Sequence, residues 1–249
     1  SKLGPLVKVA VNTYGPKITG TELRVDDVGI SLLSTEAKLK KLFLGNPKGF
    51  KSPSAAKVGS VHVSVDKGTL TKGTIVIKRV EVANPEITYE KRGGTDNFKT
   101  IMRNVQKSVP KGKSSDKGTG KSGSEKKLII NDFIVKNGKV NLAVALPGGG
   151  FADQEIKTDL PDIHIKDIGK KKGGASAAEV AAEVFAAIYG KVTSPDVLAA
   201  LDNQFKSLGG AGIGKITEAV KTAPGVAEDT AKKAGGATDK VKGLFKKKD

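Results

Sequence analysis

Three segments of this chain share one pattern, a short apolar run that ends in Asn followed by Pro or Gly. They are KLKKLFLGNP at 38–47, IVIKRVEVANP at 75–85 and LIINDFIVKNG at 128–138. Successive segments begin about 37 and 53 residues apart, which predicts two or three copies of one supersecondary unit. Asn tolerates left-handed dihedrals and Pro presets a bend, so each ending predicts a turn. The predicted turns lie at Asn46-Pro47, Asn84-Pro85 and Asn137-Gly138.

Apolar β-branched residues alternate with polar residues between Ile18 and Glu90. This period of two is typical of half-buried strands with one covered face and one face in water. The candidate apolar face consists of Val61, Val63, Val65, Ile75 and Ile77. The sequence leaves open whether that face meets an acyl chain or the protein's own helices.

Helical periodicity appears in two other regions. Residues 96–109 have apolar positions at helical spacing, with Asp96 as N-cap. Ser176 and Glu179 form a capping box ahead of an Ala-rich stretch. We expect the early apolar segment to break at Tyr14-Gly15-Pro16. The predicted class is α+β: a twisted, mainly antiparallel β layer built from repeated strand units, with Ala/Lys-rich C-terminal helices.

Composition shifts divide the chain into five regions. Residues 1–16 are predicted as a membrane-proximal stub, and 17–109 as a β repeat region with a closing helix. Residues 110–127 contain Lys, Gly and Ser without apolar side chains, which predicts a flexible linker. Residues 128–170 are predicted as a further β unit, and 171–249 as a helical, basic C-terminal region.

The formal charge of +17 points to anionic partners. Only four of the 43 basic residues are arginine, the residue that reads guanine and phosphate bidentately. No aromatic platform interleaves with the lysines, as single-strand binding requires. These features argue against sequence-specific nucleic-acid binding. They leave a Lys-rich structural protein that binds a polyanion or an anionic surface as the alternative function.

The residues that carry catalysis or bind metal are scarce. There is no cysteine, and the two histidines, His62 and His164, occupy polar positions of alternating strands. Their separation matches no common metal-ligand spacing. Neither a nucleophile elbow nor a phosphate-binding P-loop is present. We therefore predict no catalytic residues, no metal site, no cofactor and a protein that is not an enzyme.

The C-terminal tail has a possible membrane-binding pattern, an apolar pair beside a basic cluster. The candidate membrane-surface residues are Leu244, Phe245, Lys246, Lys247 and Lys248. A frayed soluble terminus is the other interpretation. No stretch of the sequence approaches the roughly 20 apolar residues that span a bilayer.

Four motifs resemble the AsmA-like family of bacterial envelope proteins. They are GPKITGT at 15–21, LGNPKGF at 44–50, VANPEITYE at 82–90 and LPDIHI at 160–165. The resemblance covers roughly residues 10–170 and consists of strand and turn patterns. It implies a β-rich periplasmic region behind an N-terminal membrane helix, and such a helix would precede Ser1. Long relatives form an open β groove that holds acyl chains.

The resemblance implies a non-enzymatic, membrane-anchored envelope protein on the periplasmic side of the inner membrane. Its expected role is to bind lipid or to support outer-membrane assembly. The expected partners are a lipid or membrane surface and other envelope proteins. This chain is too short for its groove to bridge an envelope, and the resemblance does not explain its helical C-terminus.

Overall fold

The computed structural model describes residues 3–31, 33–92, 94–110, 126–144 and 156–207. Within these ranges, an 11-stranded mixed sheet and four helices form an α+β architecture. The helices are α1 (Leu3–Thr19), α2 (Asn97–Ser108), α3 (Ala177–Val192) and α4 (Pro195–Ser207). The strands are β1 (Leu23–Arg24), β2 (Asp27–Ser31), β3 (Glu36–Leu44), β4 (Ala56–Val65), β5 (Thr74–Ala83), β6 (Glu86–Arg92), β7 (Thr95–Asp96), β8 (Lys127–Lys136), β9 (Gly138–Val144), β10 (Ile156–Leu160) and β11 (Ile163–Ile168).

Strand β4 lies at the centre of the sheet. On one side it pairs with β3, which in turn pairs with β1 and β2. On the other side it pairs first with β5 and then with β6. Strand β8 follows β5 and β9 follows β6, and β11 and β10 close the far edge.

The sheet is mixed, so the expectation of a mainly antiparallel layer is not confirmed. Strands β5 and β8 are parallel, and so are β6 and β9. The chain passes from β6 through β7 and α2 before it re-enters the sheet at β8. A helical crossover of this kind is what allows two neighbouring strands to run parallel.

A transverse line of bends, which we call the crease, crosses the sheet. It separates β1 from β2, β5 from β6, β8 from β9 and β10 from β11. At each bend one or two residues are left out of the strand pairing. When the pairing of neighbouring strands is extended over these residues, one bend residue of each strand falls on the same line across the sheet. The crease consists of Asp26, Lys41, Gly59, Asn84, Asn137 and Pro161.

Left-handed backbone conformation produces the bend at three crease positions. The φ angles of Lys41, Asn84 and Asn137 are 51°, 51° and 53°. Across the crease, inward-facing side chains lie three residues apart instead of two, as Val58 and Val61 do. An extra residue of this kind bends a strand, as in a β-bulge. Because the extra residues are aligned, the whole sheet curls.

Two of the three predicted turns are wrong, because the chain does not reverse its direction there. The chain reverses at Asn46-Pro47, because Leu44 pairs with Ala56. At Asn84-Pro85 it does not reverse, since β5 and β6 both run antiparallel to β4. The bend at Asn137-Gly138 likewise passes from β8 into β9. At both sites the Asn has the expected left-handed backbone conformation, but it bends a strand that continues in the same direction instead of forming a turn.

We expect an Asn84→Ala variant to be less stable than wild type by about 1 kcal/mol, because Ala disfavours positive φ. The Asn84 side chain is exposed, so little packing is lost. An Asn84→Gly variant should be close to wild type, because Gly adopts this conformation freely. Urea denaturation measures both values. Equal stability of the two variants would contradict a strained backbone at the crease.

Helix α1 covers the edge of the sheet at β1 and β2. The Asn12 side chain amide donates to Val25 O at 3.2 Å, and Val25 N–H donates to Asn12 Oδ1 at 2.8 Å. Asn12 thus provides hydrogen-bond partners for both backbone groups of Val25, which lies between β1 and β2 at the edge of the sheet. The expected break at Tyr14–Pro16 does not occur. Pro16 lies in the last turn, where one lost backbone bond is outweighed by packing on the sheet.

A buried polar network anchors the loop between β3 and β4 to β6 and α2. The Glu90 carboxylate is 1% exposed and accepts bonds from Lys51 N–H, Ser52 N–H and the Ser52 hydroxyl at 2.6–3.0 Å. Asn97 Oδ1 accepts from Glu90 N–H at 3.0 Å, and its amide donates to Asn46 Oδ1 at 2.8 Å. The carboxylate therefore accepts hydrogen bonds from loop N–H groups that, in a strand, would bond to a neighbouring strand.

Candidate functional site

The concave face of the curled sheet encloses an apolar cavity of about 320 Å³, which we call the trough. It straddles the crease, with walls from both halves of the bent strands and a roof from α3. Every lining residue within the described ranges is apolar. The lining residues are Leu23, Leu42, Leu44, Ala56, Val58, Val61, Val80, Val82, Pro85, Ile87, Phe98, Phe133, Val135, Ala177, Val180, Ala181, Val184, Phe185 and Ile188.

Helix α3 carries more apolar surface than it packs against the protein. Ala178, Tyr189 and Val192 are buried on one face. The neighbouring flank, with Val180 and Val184, is only half-buried and borders the trough. The roof is therefore incomplete. Because the lining side chains offer no polar groups, the space suits an aliphatic group that makes no hydrogen bonds.

The predicted apolar face on β4 and β5 is only partly at the trough. Val61 is 6% exposed and lines it. Val63 and Ile77 are half-buried and pack against the core, and Val65 and Ile75 are half-buried. The assignment of these five residues as lipid-facing stays a prediction. The predicted membrane-surface residues 244–248 lie outside the described residues.

Sequence reasoning missed most of the trough lining. On the strands it missed Leu42, which follows the crease residue Lys41, and Val82, which follows the register shift between β4 and β5 at Ser64–Val65. Strict alternation counted from Val61 assigns Val58 to the opposite face, whereas both line the trough. The α3 flank did have a signal in the helical stripe of Val180, Val184 and Ile188. What the stripe could not indicate was the surface it faces.

Two attachments hold α3 in place over the sheet. At its start, Gly169 and Gly174 have φ angles of 76° and 128°, which let the chain turn back so that Ala175 pairs with Leu128. The predicted Ser176–Glu179 capping box is present in full. At its end, Tyr189 OH donates to Asp96 Oδ2 at 3.0 Å. This bond ties the C-terminal end of α3 to the start of α2.

Asp96 is the predicted N-cap of α2 and is 4% exposed. Its Oδ1 accepts from Lys99 N–H at 2.7 Å. Burial raises the pKa of the Asp96 carboxyl above its usual value, and the bonds from Lys99 and Tyr189 partly offset that rise. Burial next to Asp96 also raises the pKa of Tyr89 and of Tyr189, so both phenols stay protonated.

The pKa of Asp96 predicts a pH-dependent difference between wild type and an Asp96→Asn variant. A carboxyl with a raised folded-state pKa stabilises the fold fully below its unfolded pKa, and that contribution is lost as pH rises through the folded pKa. Asn remains a good N-cap. We therefore expect the stability of Asp96→Asn relative to wild type to improve as pH rises from 3 to 7. Urea unfolding across this range tests it, and a difference that stays constant would contradict the buried charge.

Both histidines lie on the polar, convex face of the sheet, as their strand phase predicts. His164 Nε2 is 2.6 Å from Asp132 Oδ1, and both side chains are exposed. The hydrogen bond from His164 lowers the pKa of the Asp132 carboxyl. His62 is exposed on β4. Among the described residues, no cluster of His, Asp and Glu is able to hold a metal ion.

Membrane-spanning helices were sought within the described ranges. No single helix there is both long and apolar enough to cross a bilayer. Helices α3 and α4 meet the length and composition limits only as a pair, and they are bent by 46° relative to each other.

Comparison with known proteins gave a match at the family level. Neither the curated proteins nor the solved structures yielded a match. The sequence model of the AsmA family matches residues 17–221, which extends from the last turn of α1 beyond the end of α4. The match thus includes every strand around the trough and the helix above it. The family is associated with the bacterial envelope. This chain belongs to the AsmA family.

Proposed function

We propose that this protein is a non-enzymatic envelope protein that binds the acyl chain of a lipid in the trough. The observation that carries the proposal is a cavity of about 320 Å³ whose lining, in the described part of the chain, consists of apolar residues. Ligand sites typically start at about 300 Å³. At roughly 30 Å³ per water-sized group, the trough holds a stretch of on the order of ten methylene groups.

The energetics of burial support an aliphatic ligand. Each methylene transferred from water contributes about 0.8 kcal/mol, so ten contribute about 8 kcal/mol before the costs of association. A polar headgroup finds no partner among the lining residues. We therefore propose that one chain enters and that the headgroup stays at the open side of the trough.

Family membership supports the finer parts of the proposal. We propose that the protein is anchored to the inner membrane, faces the periplasm and supports outer-membrane assembly. We also propose that β5–β6 and β8–β9 are two copies of one unit. In support, every parallel pair between them joins residues 53 positions apart, such as Ile75 with Leu128 and Ile87 with Val140.

Native mass spectrometry of protein purified from cells, combined with lipid extraction, tests lipid binding. We expect an adduct that is lost on mild activation and that yields a fatty acid or phospholipid in the extract. Delipidated protein should then take up one fluorescent fatty acid per chain. Absence of both the adduct and the uptake, together with salt-sensitive DNA binding, would instead favour the polyanion-binding alternative.

A further inference from the structure

One end of the sheet gathers several chain reversals, and we call this end the tip. The β2–β3 hairpin turns here, since Ser31 pairs with Glu36. The β4–β5 connection follows Val65, whose N–H donates to Thr35 O at 2.9 Å. Strand β8 begins here because it is parallel to β5, and β11 ends here. The start of α1 points the same way, since Gly4 lies against Val28 of β2.

Two of the six large exposed apolar side chains among the described residues lie at the tip. Leu33 in the β2–β3 hairpin is 98% exposed, and Leu70 in the β4–β5 connection is 39% exposed. The other four, Leu6, Val7, Val9 and Tyr14, lie along α1 and are not part of the tip. Leu33 and Leu70 come from separate connections that the Val65–Thr35 hydrogen bond holds side by side, so no single segment's misfit explains both. Large apolar side chains in such positions mark an interaction surface when they occur together.

Exposed lysines occupy the same end of the sheet as Leu33 and Leu70. Lys126 donates to Leu70 O at 2.7 Å, which places its ammonium group directly beside one of them. Two of the lysines are paired within the protein, Lys170 with Asp167 and Lys172 with Glu179, and the Asp66 carboxylate accepts from Gly68 N–H. The exposed tip lysines are Lys67, Lys72, Lys126, Lys127, Lys170, Lys171 and Lys172.

We propose that the tip docks on the surface of a bilayer that contains anionic phospholipids. The apolar side chains enter the interface while the lysines meet the phosphates, and this pairing of contacts is what an anionic interface requires. A soluble polyanion accounts for the lysines but leaves Leu33 and Leu70 exposed. The surface is distinct from the trough and from residues 244–248, and the proposal extends the proposed function without depending on the trough.

The test is co-sedimentation of the full chain with phosphatidylcholine vesicles, with and without phosphatidylglycerol. We expect binding only to the vesicles that contain phosphatidylglycerol. A Lys67→Gln/Lys72→Gln variant should lose about fivefold in partitioning per lysine at low salt. A Leu33→Ser/Leu70→Ser variant should lose about tenfold, and this loss should persist at high salt because it is not electrostatic.

A charge-matched control uses the opposite end of the sheet, with Lys48→Gln and Arg92→Gln, both exposed. Its binding should equal wild type. An equal loss in the control would overturn the proposal in favour of diffuse attraction. Full binding by the Leu33→Ser/Leu70→Ser variant would overturn it in favour of a soluble polyanion, and loss of self-association in that variant without loss of vesicle binding would indicate a second copy. Fatty-acid uptake by the same variants should be unchanged, which separates failure of the tip from failure of the trough.

Discussion

In an Ala181→Trp variant, we expect the affinity for a fluorescent fatty acid to fall about tenfold or more. Ala181 lies on the flank of α3 that borders the trough, so an indole at this position occupies the space that a ligand needs. Displacing only two methylene groups already removes about 1.6 kcal/mol, which exceeds a factor of ten in the dissociation constant. Fluorescence titration of the delipidated protein measures the change.

The control for this variant is Ala186→Trp on the same helix. Ala186 does not line the trough, so its replacement adds the same side chain without filling the cavity. We expect wild-type binding in the control. Thermal unfolding should show that Ala181→Trp is folded, since filling an existing cavity need not strain the core. Undiminished fatty-acid binding by a folded Ala181→Trp variant would exclude the trough as the ligand site.

The second large effect concerns the buried carboxylate of Glu90. In a Glu90→Ala variant, Lys51 N–H, Ser52 N–H and the Ser52 hydroxyl lose their shared acceptor. Each buried unsatisfied group costs about 1–3 kcal/mol. We expect the free energy of unfolding to fall by about 3–5 kcal/mol, measured by urea denaturation. The free energy of unfolding of a Glu90→Gln variant should lie between those of wild type and Glu90→Ala. The Gln amide keeps one acceptor oxygen but turns an NH₂ donor toward the donors of the loop.

Glu86 provides the matched control on the same strand. Its side chain is exposed at the start of β6, so Glu86→Ala should change stability by less than about 0.5 kcal/mol. Similar losses in Glu86→Ala and Glu90→Ala would show that the network does not anchor the β3–β4 loop. The two strand glutamates thus separate a general effect of lost charge from the effect of lost hydrogen bonds.

Local signals in the sequence predicted local structure well. Asp96 caps α2 and Ser176 with Glu179 caps α3, because each cap depends on contacts within one turn. The α+β class also followed from the change in period between the strands and helices. These features need no knowledge of distant partners.

The crease and the trough depend on distant partners and could not be predicted in this way. An Asn with positive φ occurs both in a turn and in a kinked strand, and the difference at Asn84 is whether β6 continues to pair with β4. Glu90 shows the same limit, because its partners at Lys51 and Ser52 are nearly 40 positions away in the chain. Alternation alone gave no reason to bury this carboxylate.

The crease also sets a length scale for the proposed ligand. The trough runs along the line of bends and therefore across the strands, so its extent depends on how many bent strands stand side by side. Neighbouring strands are about 4.8 Å apart. The described strands that line the trough are β1, β3, β4, β5, β6 and β8, and each bent strand added to this set or removed from it would change the length of the trough by that amount. For the acyl chain that we propose as ligand, the number of strands that line the trough acts as a ruler, and relatives with more such strands should accept longer chains.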